Sequence, residues 1–420
     1  MSASKSNQTF DIVIIGGGSA GGAVAASLLK RQPSLNIAII EPAEQHYYQP
    51  AWTLVGGGAF DIKKSVRPMV DCLPKAATLI RAAATTFEPE RNLVHTDVAG
   101  SFFYHQLIVA PGLQLNWDAI IGLSETLGKN GVTSNYRFDL APYTWQLAKH
   151  LKAGKAIFTQ PPMPIKCAGA PQKAMYLSCF EWERTGALKN IDVEFDNAGA
   201  VLFGVADFVP ALMTYVKRYN AKLCFNSTLV AVDGVAKKAW FNIKDAEGHV
   251  TKVEKTFDML HVVPPQTAPD FIKQSPLANV DGWVDVNQAT LQHHKFTNIF
   301  SLGDVCSSPN AKTVAAARQQ AVVVAENLLA MRENKPLPMT YYGYGGCPLT
   351  VEKGKIILAE FGFGGILLPT FKRINSVIPS RLFWHLKRHI LPWLYWHGML
   401  KGYEWLARPT APVPAKPTET

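Results

Sequence analysis

The sequence predicts an α/β protein of two tandem Rossmann-like domains, the second inserted in the first, followed by a C-terminal amphipathic membrane-binding segment. Three observations carry this. A continuous apolar strand runs into a glycine-rich turn and a small-residue helix, "FDIVIIGGGSAGGAVAASLLKR" (10–31). Two strand motifs then recur: "DIVIIG" (11–16) is echoed by "KAIFTQ" (155–160), and "YHQLIVAPG" (104–112) by "FDMLHVVPP" (257–265). The offsets are 144 and about 150 residues. Finally, residues 371–408 hold seven Lys/Arg against one acid, Glu404, and four of the ten tryptophans. The repeat divides the chain into a first domain (1–115 and 280–345), an inserted one (116–279) and a C-terminal segment (346–420).

Bulk properties narrow the class. With 420 residues, 48% of them hydrophobic, the chain can build large cores. Net charge is +10 and the pI about 9.2, which suits nucleic acid or an anionic membrane surface. No helix-turn-helix or stacked-aromatic sheet motif occurs, so nucleic acid is set aside. The six cysteines (72, 167, 179, 224, 306 and 347) form no CxxC pair and no zinc-like cluster, arguing against a metal site or a disulfide-rich fold. The polar leader before Phe10 lacks the apolar region of a secretory signal, which favours a cytosolic-side location. No run of about 18 apolar residues predicts a transmembrane helix.

The first turn is built for a dinucleotide. Gly16 permits the tight turn, Gly18 lets backbone approach phosphates, and Gly21 lets helix and strand pack closely. The helix N-terminus then faces the pyrophosphate. The second strand, "NIAIIEP", ends in Glu41, placed to accept from the adenosine ribose hydroxyls. The bland alternative is a glycine-rich turn without ligand. Two later strands, one ending at Gly112 and "TNIFSLGDV" (297–305) ending in Gly303-Asp304, resemble segments of two-dinucleotide-domain flavoproteins. There the aspartate holds the ribityl chain, so the resemblance points to FAD. The helix predicted over 311–329 aims Lys312 at the flavin's pyrimidine edge, where positive charge stabilises the anionic reduced ring. A solvated lysine at a helix start is the plainer reading.

The second turn departs from the pattern. "AIFTQPPMPIKCAGAPQKAMYL" (156–177) has no GxGxxG, and Pro161, Pro162 and Pro164 remove amide donors that phosphates need. Hydride delivery from a nicotinamide is disfavoured. Cys167 stands there instead, before a helix and between Lys166 and Lys173, a setting that favours the thiolate. Cys347 lies 180 residues on, in the glycine-rich loop "YYGYGGCPLT" (341–350). Cys306, just past the Gly-Asp turn, competes for a redox role. Cys72, Cys179 and Cys224 read as fillers.

"PIKCAGAPQKAMYLS", "HYYQPAWTLVGGG" (46–58), "DGWVDVNQATLQH" (281–293) and "GGCPL" closely resemble sulfide:quinone oxidoreductases, especially the mitochondrial-type branch also found in bacteria. The resemblance runs from about residue 10 to 406, with Cys179 as one departure. It implies that Cys167 and Cys347 are the redox pair and that FAD binds non-covalently. It also implies that Ser19, Ala20, Glu41, Gln49 and the backbone near Ala84 contact the cofactor. Hydrosulfide then attacks an oxidised Cys167/Cys347 linkage, with or without a bridging sulfur, leaving a persulfide on Cys347. Cys167 passes two electrons to FAD, and a small acceptor such as glutathione, sulfite or cyanide removes the sulfane sulfur.

In the C-terminal segment Leu382, Leu386 and Ile390 share a helical face, Pro392 breaks the run, and Trp396, Met399, Leu400 and Tyr403 resume the pattern. Basic residues with Trp and Tyr beside an apolar face describe a helix pair lying in the headgroup layer. A helix pair docked on the protein's own core is the plainer alternative. A membrane-lying element beside a flavin domain implies a quinone acceptor, expected to be ubiquinone, in a pocket drawing on 360–371. The expected location is the cytoplasmic face of a bacterial inner membrane, as a monotopic protein. A type II NADH:quinone dehydrogenase needs a phosphate-cradling second turn and no cysteine pair. A flavocytochrome-type sulfide dehydrogenase calls for export. A catalytically idle flavin-binding scaffold is the alternative from another class.

Overall fold

A computed structural model describes residues 8–411; residues 1–7 of the polar leader and 412–420 lie outside the described residues. Its first sheet has seven strands. The central strand, Gln8–Ile15, pairs in parallel with Ile37–Ile40 on one side and Ser101–Val109 on the other. Ile299–Ser301 pairs in parallel with Ser101–Val109. Ile12, Val13, Ile14, Ile37, Ala38 and Ile39 are all buried, as a parallel sheet covered on both faces requires. Helices Ser19–Arg31 and Val314–Arg332 pack together over this sheet.

The second sheet repeats the first. Gly154–Gln160 is flanked in parallel by Ile191–Asn197 and Met259–His261. The strands carrying each pair of echoed motifs thus occupy matching central and neighbouring places in the two sheets. An antiparallel meander (Ser227–Asp233, Lys238–Lys244, Val250–Thr256) follows, and a hairpin joins Gly345–Glu352 to Lys355–Phe361. Cys347 lies in that hairpin, opposite Ala359, rather than in a loop.

The C-terminal segment forms one helical run. Arg381–His385 continues through a π turn, Leu386–Ile390, into Leu391–His397. Pro392 does not break it. The π turn shifts the hydrogen-bond frame by one residue, and the proline's missing N–H falls in the first turn of the next segment. The two faces also divide differently from the expectation. Trp396, Met399 and Leu400 are buried in the core of the first sheet, while Leu382, Ile390, Trp393, Tyr403, Trp405 and Leu406 point outward. Arg31 clamps the run's end through Glu404 (2.5 Å), and Ser27 donates to the same carboxylate at 2.7 Å. Among the described residues no helix is long and apolar enough to cross a membrane.

Candidate active site

The glycine turn is shaped by contact. Gly16 sits at φ +94°, where a Cβ would lie 2.4 Å from the Ala110 carbonyl oxygen. A Cβ on Gly21 would lie 1.8 Å from the Gly16 carbonyl oxygen, so only glycine lets the helix seat on the turn. A Cβ on Gly18 would meet no described residue within 4 Å, because Gly18 faces a cavity of about 580 Å³. Ser19, Ala20 and Glu41 line that cavity as well, and the Glu41 carboxylate accepts from the Gly17 (2.8 Å) and Ala43 (2.7 Å) amides.

Gln49, Gly112, Gly303, Asp304, Lys312 and Cys167 line the same cavity, with Gly303 packed against Ala20. Asp304 is deprived of water, which raises its carboxyl pKa. Lys312 reaches the cavity wall, but its ammonium turns back onto the carbonyls of Asp304 (2.6 Å) and Cys306 (3.1 Å), over the Trp283 ring. The helix starts at Val314, three residues later than expected and past Lys312, because the Thr313 hydroxyl caps the Ala316 amide. Ala84 opens the strand Ala84–Glu88 at the outer edge of the first sheet, where it pairs with Thr96. Cys306 is buried and donates to the Gly303 carbonyl, outside the lining residues.

Several buried polar atoms of lining residues have no partner among the described residues: Trp52 Nε1, Thr53 Oγ1, both amide atoms of Asn135 and Gln319 Oε1. Buried polar groups are normally satisfied. A wall holding so many free donors and acceptors, beside a glycine turn and a helix N-terminus, fits a large polar dinucleotide such as FAD.

The thiols meet at the wall of this cavity. Cys167 and Cys347 bring their sulfurs to 3.6 Å. Cys167 lines the cavity; Cys347, 2% exposed, packs behind it, with Gly346 and Pro348 of its strand at the wall. A Cβ on Gly169 would lie 2.7 Å from the Cys347 sulfur, so the glycine makes room for it. Cys167 is held at φ +51°, an unfavourable backbone region for a non-glycine residue. Its amide donates to the Lys312 carbonyl at 2.8 Å, its carbonyl accepts from Ala170, and the Tyr136 hydroxyl donates to the Lys166 and Cys167 carbonyls.

Charge sorts the two thiols. The hydrogen bond shared with Cys347 holds Cys167 well below the ordinary thiol range against the effect of burial, and Lys173 and Lys387 add to it. The same bond and burial push Cys347 up. Both shifts favour the thiolate on Cys167, the sulfur nearer the Lys173 ammonium. Lys173 is 1% exposed, on helix Ala170–Arg184 whose N-terminus lies beside Cys167. Lys387, also buried, donates to the Pro50 carbonyl, and burial lowers its pKa to about 8. Lys166 donates to Gln49 at 2.5 Å. Reading the tail's basic residues as facing the headgroup layer missed Lys387. Its spacing after Phe383 and Trp384 was the available signal, since these three share the buried face.

No family model matches the chain. Curated relatives do. A mitochondrial sulfide:quinone oxidoreductase of Dictyostelium discoideum is 41% identical over 414 residues, covering 97% of this chain and 89% of the relative. One from Mus musculus is 36% identical, covering 94% and 87%. Both are mitochondrial, so the expected bacterial inner membrane finds no support in them. The solved sulfide:quinone oxidoreductase of Aquifex aeolicus shares the fold at a TM-score of 0.77 and 20% identity, covering 94% of this chain and 92% of that one. With this identity to curated relatives along almost its whole length, the chain belongs to the sulfide:quinone oxidoreductase family.

Proposed function

We propose that Cys167 and Cys347 are the redox pair of an FAD-dependent sulfide:quinone oxidoreductase, with Cys167 on the flavin side and Cys347 holding the sulfur. The protein oxidises sulfide and reduces a quinone. The observation supporting the residue roles is the 3.6 Å sulfur–sulfur approach with only Cys167 of the pair on the cavity wall.

Hydrosulfide attacks the oxidised linkage at Cys347. A sulfur–sulfur bond breaks, Cys347 keeps the incoming sulfur as a persulfide, and Cys167 leaves as a thiolate. Lys173 stabilises that leaving thiolate, and the buried lysines favour an anionic substrate. A small nucleophile (glutathione, sulfite or cyanide) then takes the sulfane sulfur from Cys347. FAD, when bound, would take the electron pair and proton freed as the Cys167 thiolate and the Cys347 thiol rejoin in a sulfur–sulfur bond, and would supply the pair to the quinone. Gly18, Ser19, Ala20 and Glu41 would hold its adenosine diphosphate half, and Gln49, Gly112, Gly303, Asp304 and Lys312 the flavin half. Residues 1–115 and 280–345 form the flavin domain in this reading, 116–279 the inserted one, and 346–420 carry the second thiol and the membrane face.

Ile390 and Leu406 both line the cavity and are more than half exposed, so the cavity opens through apolar side chains. Trp393 and Trp405 stack outside, with Arg381 and Arg388 nearby in sequence. This rim suits a lipid surface from which a quinone enters. Anaerobic addition of sulfide should bleach the oxidised-flavin band, and NADH should leave it unchanged. Bleaching by NADH alone would overturn the reading.

A further inference from the structure

The helical run that carries the outward apolar face also sends one side chain inward, to the phosphate turn. Tyr395 is 2% exposed and lines the cavity. Its hydroxyl lies 2.6 Å from Ser19 Oγ and 2.5 Å from His46 Nε2. Ser19 is the first residue of the helix Ser19–Arg31, whose cap, Gly18, offers no side chain to its amides. The Tyr395 ring is fixed between Tyr48 (4.7 Å between centroids) and Trp396 (4.9 Å). Burial lowers His46 to about 4, so at neutral pH its imidazole is uncharged, and with the ring proton on Nε2 it donates to the Tyr395 oxygen and leaves the Tyr395 proton for Ser19 Oγ. Burial likewise keeps the Tyr395 hydroxyl protonated.

A hydroxyl at the first position of a phosphate-facing helix can rotate freely unless something sets it. Here something does. Tyr395, braced by His46 from behind, is placed to bond the Ser19 oxygen and so to determine where that hydroxyl points. These groups come from three separate parts of the chain: the glycine turn, the strand Gln45–Tyr47 and the C-terminal run.

We propose that Tyr395 is a positioning residue for the FAD diphosphate, acting through Ser19, so that retention of the cofactor depends on the C-terminal segment. The proposal rests on the assignment of the Gly16–Gly21 turn to FAD. It gives the segment a role separate from membrane contact.

The test follows FAD release from the holoenzyme by the rise in flavin fluorescence on dilution. Tyr395→Phe keeps the ring and removes one hydroxyl, and release is expected to quicken about tenfold. Ser19→Ala is expected to do the same, and the double variant to be no faster than the faster single one, within about twofold. His46→Leu, which removes the brace, should also quicken release, whereas His46→Gln, which keeps an N–H donor, should restore it. Wild-type release in Tyr395→Phe, or a double variant that multiplies the two effects, overturns the proposal. Wild-type release in Ser19→Ala as well would overturn the assignment of the turn itself. The thermal midpoint of the FAD-stripped protein separates this role from a structural one: it stays at the wild-type value if Tyr395 acts on the cofactor, and a fall that accounts for the faster release sinks the proposal.

Discussion

The Lys173 ammonium lies 3.2 Å from the Cys167 sulfur and 3.7 Å from that of Cys347, buried with both. Burial alone would lower the lysine's pKa, but the two sulfurs raise it overall, so it stays charged. Lys173→Met removes this cation at similar volume. Cys167 then titrates higher, and its reactive form appears only at higher pH. Alkylation of the reduced enzyme by iodoacetamide should slow by roughly an order of magnitude at pH 7 and recover in alkaline buffer. An unshifted pH profile would remove Lys173 from the thiolate's support.

Cys167→Ser and Cys347→Ser should each retain the yellow cofactor and fail to bleach with sulfide. The serine oxygen cannot form the sulfur linkage on which the first attack depends. Sulfide-driven bleaching in either variant contradicts the assigned roles.

NADH should neither bleach the flavin nor compete with sulfide. Where a phosphate-binding helix would start, Leu349 and the Cys347 sulfur already occupy the space beside Gly169. Nicotinamide-dependent reduction at a rate near that of sulfide would show that the turn still accommodates a dinucleotide.

Membrane contact is better tested by point changes than by deletion, since Tyr395, Trp396, Met399 and Leu400 belong to the core. Trp393 and Trp405 stack outward at 6.2 Å, and replacing both with Glu should lower co-sedimentation with anionic vesicles about tenfold. Sulfide bleaching in solution should stay at the wild-type level. Unchanged sedimentation would place the lipid contact elsewhere.

Acid should loosen the C-terminal clamp. Burial acts to raise the Glu404 pKa, but hydrogen bonds from Arg31 and Ser27 outweigh it and leave the carboxyl below its ordinary value of 4.5. A group with a lowered folded pKa contributes stability above its unfolded pKa and loses it as pH falls through the folded one. Below about pH 4.5 the wild-type melting temperature should therefore drop faster than that of Glu404→Gln, which has already lost roughly 1–2 kcal/mol at neutral pH. Parallel curves for the two proteins would show that this ion pair contributes nothing measurable.

Much of this arrangement was legible in the residues. Strands such as Phe10–Ile15 announce themselves because parallel strands covered on both faces are unbroken apolar runs. Cys167 stood out because prolines and a thiol replace the expected glycines. What escaped depends on neighbours distant in sequence. Sheet order, which puts Ala84 on an outer edge, is not written locally. Nor is the π turn that carries the helix through Pro392. Lys387 looks like a surface cation until Phe383 and Trp384 are seen to turn inward with it, and the Ser19–Tyr395 bond joins positions 376 apart.

The two thiols close a stretch of 180 residues that contains three of the second sheet's five strands, its central strand Gly154–Gln160 lying just before it. Whenever a sulfur linkage joins them, the chain becomes a ring, and by loop entropy alone unravelling grows harder by roughly 5 kcal/mol. In the proposed cycle each turnover opens and reseals this loop, so heat resistance should track the balance between sulfide supply and oxidant.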